Sequence, residues 1–251
     1  MLERIEKLQV ISLGLLIALG LIISTQMVSS SLSKNVISVT GSAYEIVKSD
    51  SGTLNFDIVV KRPNKQDAYT AVQSQIKIVE KYLQAKNITN VEKKTVNGYF
   101  TYKRDFNGAY TNTPEAYNLS QPMSISSNNV ELIKEISNDI TSLINQGVDI
   151  NVYAPSYDYS KLPELKVSLL EKASNDAKNR AASMLKATHN SVGKIQSVRM
   201  GVYQITPVNS TDVSDMGIND TSSIDKKVTA VANVSFKICL LYTSPSPRDK
   251  R

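Results

Sequence analysis

Along residues 36–238 the spacing of apolar side chains switches repeatedly between every second and every third or fourth position, which marks alternating strands and helices. Val36–Tyr44 alternates Ile37, Val39, Gly41 and Ala43 against Ser38, Thr40 and Ser42, and Leu54, Phe56, Ile58 and Val60 give the apolar face of a second strand. With only Lys48–Gly52 between them, the two are expected to form a hairpin. Asn64 is placed to cap a helix over about 65–86 whose Ala68, Val72, Ile76, Val79 and Leu83 keep to one stripe. Val96, Gly98, Phe100 and Tyr102, then Tyr117, Leu119, Met123 and Ile125, have strand spacing, with Arg104–Pro114 as an exposed hairpin loop and Pro122 suited to an edge. Asn128 and Glu131 resemble a capping box opening a helix that turns Ile133, Ile136, Ile140, Leu143 and Ile144 inward and ends at Gly147. Val148, Ile150, Val152 and Ala154 follow as a strand.

Ser160 is placed to cap a long third helix with Pro163 in its first turn, burying Leu165, Leu169, Ala173, Ala177, Ala181, Met184 and Leu185. Its three alanines at four-residue spacing allow close packing on a neighbouring element, and Lys172, Asp176 and Arg180 can pair along an adjoining face. Val198, Met200 and Val202 make a strand, Val208–Asp225 a polar loop, and Val228–Ile238 the last alternating strand. The order ββα ββα β α ββ predicts an α+β fold: antiparallel sheet with helices packed on one face.

Both ends stand outside that pattern. No charge occurs from Leu8 to Ser33, and Val10–Ile23 is almost wholly apolar behind Arg4 and Lys7. Residues 1–30 therefore read as a transmembrane anchor or as a signal helix, with Val28-Ser29-Ser30 a tolerable cleavage site. In the first reading the protein meets the membrane through Leu8–Val28 as a single-pass protein with its domain extracytoplasmic; in the second it is secreted or periplasmic. No Cys follows this stretch, which excludes a lipoprotein anchor. At the other end the alternation breaks after Ile238. Cys239–Asp249 resembles the translation of a transposon-type sequencing adapter, so 239–251 reads as a foreign tail and 36–238 as the domain.

Composition narrows the chemistry. The 251 residues carry 29 Lys+Arg against 23 Asp+Glu, but without 239–251 the balance is 26 to 22 and the excess falls from +6 to +4. One Cys and one His exclude an intrachain disulfide, multi-cysteine metal sites and two-histidine motifs. His189 and Ser191 lie close in sequence, yet a catalytic base needs an oriented nucleophile, and a polar residue at a helix C-terminus is the simpler reading of His189. Asp149, Asp158, Asp212, Asp215, Asp220 and Asp225 are scattered, and Asp212–Asp220 lacks the oxygen spacing of a calcium loop. No phosphate-binding glycine loop, nucleophile elbow or zinc-protease motif is present, so no catalytic, cofactor-binding or metal-binding residue is assigned and the protein is expected not to be an enzyme. The basic pairs Lys61-Arg62, Lys93-Lys94, Lys103-Arg104 and Lys226-Lys227 make no continuous stripe, which argues against nucleic acid. Tyr99, Tyr102, Tyr110 and Tyr117 in one hairpin, and Tyr153, Tyr157 and Tyr159 further on, have the composition of an interface.

Three segments together resemble the SIMPL-domain family of exported bacterial proteins: Ile37-Ser-Val-Thr-Gly-Ser-Ala43, the run from Ala173-Ser-Asn-Asp-Ala177-Lys-Asn-Arg180-Ala181 to Val192-Gly193-Lys-Ile195, and Val228–Phe236. The resemblance implies a secreted or membrane-tethered α+β domain, often oligomeric and tied to envelope or oxidative stress, with no established catalytic set. Gly41, Asp176, Arg180 and Gly193 match the family pattern, and structural roles are expected of them: close packing, an ion pair and a turn out of the helix. The expected protein is thus a non-enzymatic, membrane-anchored homo-oligomer that supports envelope integrity or stress tolerance, the alternative being an exported protein that binds a small ligand.

Overall fold

The computed structural model describes residues 14, 17–25 and 35–240. The elements are β1 Val36–Lys48, β2 Ser51–Arg62, α1 Lys65–Ala85, β3 Val91–Lys93, β4 Asn97–Arg104, β5 Tyr110–Ser127, α2 Val130–Asp139, a 3-10 helix Ile140–Gln146, β6 Ile150–Val152, β7 Ser156–Asp158, α3 Leu162–Lys186, β8 Asn190–Met200, β9 Gln204–Pro207, β10 Ile218–Asn219 and β11 Asp225–Leu240. The fold is α+β on two mostly antiparallel sheets, and the chain forms two compact units. Of the proposed leader, the helix at 17–25 is described, and Ile17, Leu19, Leu21, Ile22 and Ile23 on it are exposed. Apart from Gly14, the rest of Leu8–Val28 lies outside the described residues, as do 241–251. Among the described residues no helix is long and apolar enough to cross a membrane.

The larger unit comprises residues 44–169 and 202–230. β5 runs antiparallel to β2 from Gly52↔Ser127 to Arg62↔Tyr117, and its other edge takes β3 and β4. The far edge of β2 takes β6 and β7. Leu54, Phe56, Ile58 and Val60 alternate onto one face and are buried with Val72, Ile76, Val79 and Leu83 of α1 and Ile133 and Ile136 of α2. Burial of each such side chain contributes about 1.5–3 kcal/mol, which is why the alternation fixes the register. The Asn64 carboxamide accepts from the Asp67 amide at 2.8 Å and donates to its carboxylate at 2.7 Å, capping α1 as expected.

The smaller unit comprises the first part of β1, residues 170–201 and β11 from Val231. β11 lies between β1 and β8. Ser38 pairs with Ser235 at 2.8 Å and Thr40 with Asn233 at 2.6 Å on the polar face, and the Ile238 amide donates to the Asn35 carbonyl at 2.8 Å, which sets β1 antiparallel to β11. On the opposite face Val39 and Gly41 of β1 and Ala232, Val234 and Phe236 of β11 are buried, together with Ala173, Ala177, Ala181 and Leu185 of α3.

Several local expectations need correction. β1 and β2 do not form a hairpin: both edges of β2 are occupied, so β1 joins the other sheet, and the Ser49 and Asp50 amides between them bond the carbonyls of Ile224 and Asp158. The α2 cap is Asn129, one residue later than expected, accepting from the Leu132 amide at 3.2 Å. Ile144 is exposed because the helix tightens to three residues per turn at Ile140, which keeps Leu143 inward and rotates Ile144 out. Ser160 does not cap α3; its hydroxyl and amide donate to Asp50 at 2.6 and 2.8 Å. Met184 is exposed, one position off the buried stripe. Gly147 does end the helix, in the left-handed conformation at φ 82°.

Gly41 has the narrowest clearance. A Cβ there would run into the Ala173 carbonyl oxygen and the Ala177 amide nitrogen, both backbone atoms that cannot rotate away. Gly41→Ala is therefore expected to lower stability by at least about 3 kcal/mol, the upper range for overpacking, measured as a fall in the urea midpoint.

Candidate functional site

The residues singled out by sequence do not converge on one centre, and each is placed separately. Gly41, Asp176 and Arg180 do come together. The Asp176 carboxylate accepts from the Ser42 amide at 2.9 Å and from the Arg180 guanidinium at 2.7 Å, one turn along α3. The Ser42 amide, opposed by burial and helped by Arg180, holds the Asp176 carboxyl below its ordinary range. The arrangement joins strand to helix and presents no reactive group. Gly193 is not the turn out of α3: it lies within β8, where a Cβ would meet the Lys237 carbonyl at 2.7 Å beside an irregularity in the β8–β11 pairing.

The turn out of α3 is made by His189, which sits at φ 54° with its amide donating to the Lys186 carbonyl at 3.2 Å. Its side chain is exposed, and the geometry gives it a helix-ending position. Asp149 bonds Gln75 on α1, with 3.2 Å to its carboxylate and 3.0 Å from its amide, and Asp212 accepts from Ser210 at 2.9 Å. Among the described residues no group of three or more His, Cys, Asp and Glu side chains could hold a metal ion.

Asp220 does have a partner that sequence reasoning missed. Lys226 is buried, its ammonium 2.5 Å from the Asp220 carbonyl oxygen and 4.0 Å from the carboxylate. Burial pushes the Lys226 pKa down against the opposing charges of Asp220 and Asp158. Burial pushes the Asp220 carboxyl up, but the Ser222 hydroxyl and amide and the Lys226 charge outweigh it, leaving the group below its ordinary value. The signal was present in the alternation of β11: counting back by twos from the buried Phe236, Val234, Ala232, Ala230 and Val228 lands on Lys226.

Beside this pair a groove of about 760 Å³ opens between α2, which contributes Lys134, Ser137 and Asn138, and the segments carrying Pro155, Tyr157 and Ser222–Asp225. It mixes apolar and polar lining, which suits an amphiphilic small molecule.

The hairpin is the other unusual surface. β4 pairs with β5 alone, and the loop between them is only residues 105–109, shorter than expected. Phe100 and Tyr117 meet edge to face at 4.8 Å under Lys65, and Tyr117 also lies across Gly98, so that side of the hairpin is packed. Tyr99, Tyr102 and Tyr110 remain exposed, and Phe106 at the tip is 98% exposed. Of the second tyrosine group, Tyr153 is exposed and bonds Asp57 at 2.6 Å, whereas Tyr157 is buried in the core.

β8 carries an apolar strip that no sequence argument isolated. Ile195, Val198 and Met200 stand opposite Phe236, Val234 and Ala232 in register, so they share the buried face of the sheet. They are nonetheless 59%, 50% and 55% exposed.

The SIMPL family, described as a protein of unknown function (DUF541), matches residues 37–236, and the chain belongs to that family. The family's domain is of extracytoplasmic type. No match to a curated protein was found.

The conformation of His189 makes a prediction that separates a helix-ending role from a catalytic one. His189→Gly removes the strain of a side chain at positive φ and is expected to raise stability by a few tenths to about 1 kcal/mol, read from the thermal midpoint. A loss of stability would contradict this role.

Proposed function

We propose that the protein is a non-enzymatic, membrane-anchored member of the SIMPL family whose domain faces the extracytoplasmic space, associates with copies of itself and supports envelope integrity or stress tolerance. The anchor reading is supported by the uncharged stretch Leu8–Val28 behind Arg4 and Lys7. Self-association is supported by one observation above all, the exposed face of β8. A strand whose partner among the described residues lies on one side only offers a row of unpaired amides and carbonyls. When the same strand also exposes Ile195, Val198 and Met200, it presents both the hydrogen-bonding edge and the apolar area that a neighbouring copy would bury. A water-soluble partner of lesser apolar character would leave that strip in solvent. Envelope support follows from a tethered assembly that needs no turnover chemistry.

The groove beside Asp220 and Lys226 favours the second reading, an exported protein for a small amphiphilic ligand. Its mixed apolar and polar lining suits binding of such a ligand.

The test is light scattering of the full chain in mild detergent, comparing wild type with Ile195→Lys. Burying one isoleucine contributes about 1.5–3 kcal/mol, so the substitution is expected to weaken association about tenfold or more without unfolding an exposed position. A wild-type chain that stays monomeric at every concentration, or an Ile195→Lys chain that assembles unchanged, removes the proposal for this surface.

A further inference from the structure

We propose that the tip of the β4–β5 hairpin docks onto an anionic lipid surface, an inference that rests on the membrane-tethered reading above. The tip is built without any contribution from its most conspicuous side chain. The Asp105 carboxylate accepts from the amides of Asn107 and Ala109, each at 2.9 Å, the Asp105 amide donates to the Ala109 carbonyl at 2.9 Å, and Gly108 closes the turn at φ 82°. These bonds fix the backbone and leave the Phe106 ring 98% exposed. A ring held in water by a rigid turn gains nothing from the fold that presents it.

What surrounds the ring points to the chemistry of the partner. Tyr102 and Tyr110 stand behind it on the two strands, both exposed. The Arg104 guanidinium lies 4.5 Å from the Tyr110 ring centroid and donates to its hydroxyl at 2.7 Å, and Lys103 adjoins it. Lys103 and Arg104 against the single Asp105 carboxylate leave the tip with a net positive charge. A phenyl ring at the apex, with cations and phenols side by side on the strands behind it, matches a membrane interface, where an apolar tip enters the acyl boundary while cations and phenols meet the head groups and phosphates. A second copy suits the same tip less well, since the neighbouring depression sets Lys103 and Arg104 against the single carboxylate of Glu115 and so offers another cationic apex a net positive wall.

The chain contains no Trp, so Phe106→Trp introduces a lone indole reporter at a position that packs against nothing. The experiment reconstitutes the full chain into phosphatidylcholine vesicles, with or without phosphatidylglycerol, using lipids brominated on their acyl chains. The expected result is a blue-shifted indole quenched by the brominated chains in anionic vesicles and much less so in neutral ones. Lys103→Glu or Arg104→Glu, added singly, is expected to lower the partition of the tip roughly fivefold or more. Tyr69→Trp, on the exposed side of α1, should stay unquenched, which separates insertion of the tip from mere tethering of the chain. An unshifted, unquenched Phe106→Trp indole in a chain that still floats with the vesicles overturns the docking and leaves the anchor standing. Quenching by anionic vesicles of a chain that does not float with neutral ones supports the docking and removes the anchor. A blue shift in lipid-free detergent that grows with protein concentration assigns the tip to a second copy and overturns the proposal.

Discussion

The smaller unit depends on the approach of β1 to α3 at Gly41. Strand and helix backbones can come this close because neither side presents a side chain larger than a methyl group: glycine on the strand, and alanine at 173, 177 and 181 on the helix. The approach also solves a polar problem, since it brings the Asp176 carboxylate within 2.9 Å of the Ser42 amide. A carboxylate bonded to a backbone amide and to Arg180 is held more firmly than an exposed helix ion pair, which by itself contributes only about 0.3–0.5 kcal/mol. Seating the helix over β1 leaves the far edge of the same face uncovered. β8 lies two strand spacings away, about 9.6 Å, beyond the roughly 5–6 Å that a helix reaches to either side of its axis. The exposed Ile195, Val198 and Met200 are thus a consequence of where Gly41 draws the helix.

Among the described residues, the features that stand out beyond this packing are a buried ionic pair and two exposed apolar surfaces. The buried ionic pair of Lys226 with Asp220 is tied to a main-chain carbonyl and local serine donors, an arrangement that orders the 220–226 segment. The groove next to it shares that ordered wall. By contrast, the β8 strip and the hairpin tip each hold apolar side chains in solvent on rigid backbone, where only a partner can remove them from water.

Much of this was legible in the sequence because it is local. Alternation placed β2 and β11, the three-to-four spacing placed α1 and α3, Asn64 announced its cap, and the alanine spacing announced close packing. The failures share a cause, which is that period and propensity do not name partners. The short link between β1 and β2 looked like a hairpin because nothing local says that both edges of β2 are occupied. Ile144 fitted the helix period until a change of helix type rotated it away. Lys226 read only as half of an isolated basic pair because a cation is the last residue expected on a buried stripe, although its position in the alternation was visible. For the candidate surfaces, the tyrosines of the hairpin were readable as composition. Phe106 and the β8 strip were not, since exposure is set by what the rest of the fold fails to cover.

The claim on which the account turns is that the Ser42 amide is held by Asp176 where Gly41 meets α3. Hydrogen exchange at that amide tests it most directly, followed by NMR in the wild type and in Asp176→Ala. The account predicts a protected Ser42 amide in the wild type that exchanges at least about tenfold faster after the substitution, as loss of a hydrogen bond to a charged group requires. A Ser42 amide that exchanges freely in the wild type, or at the same rate in both proteins, would contradict it.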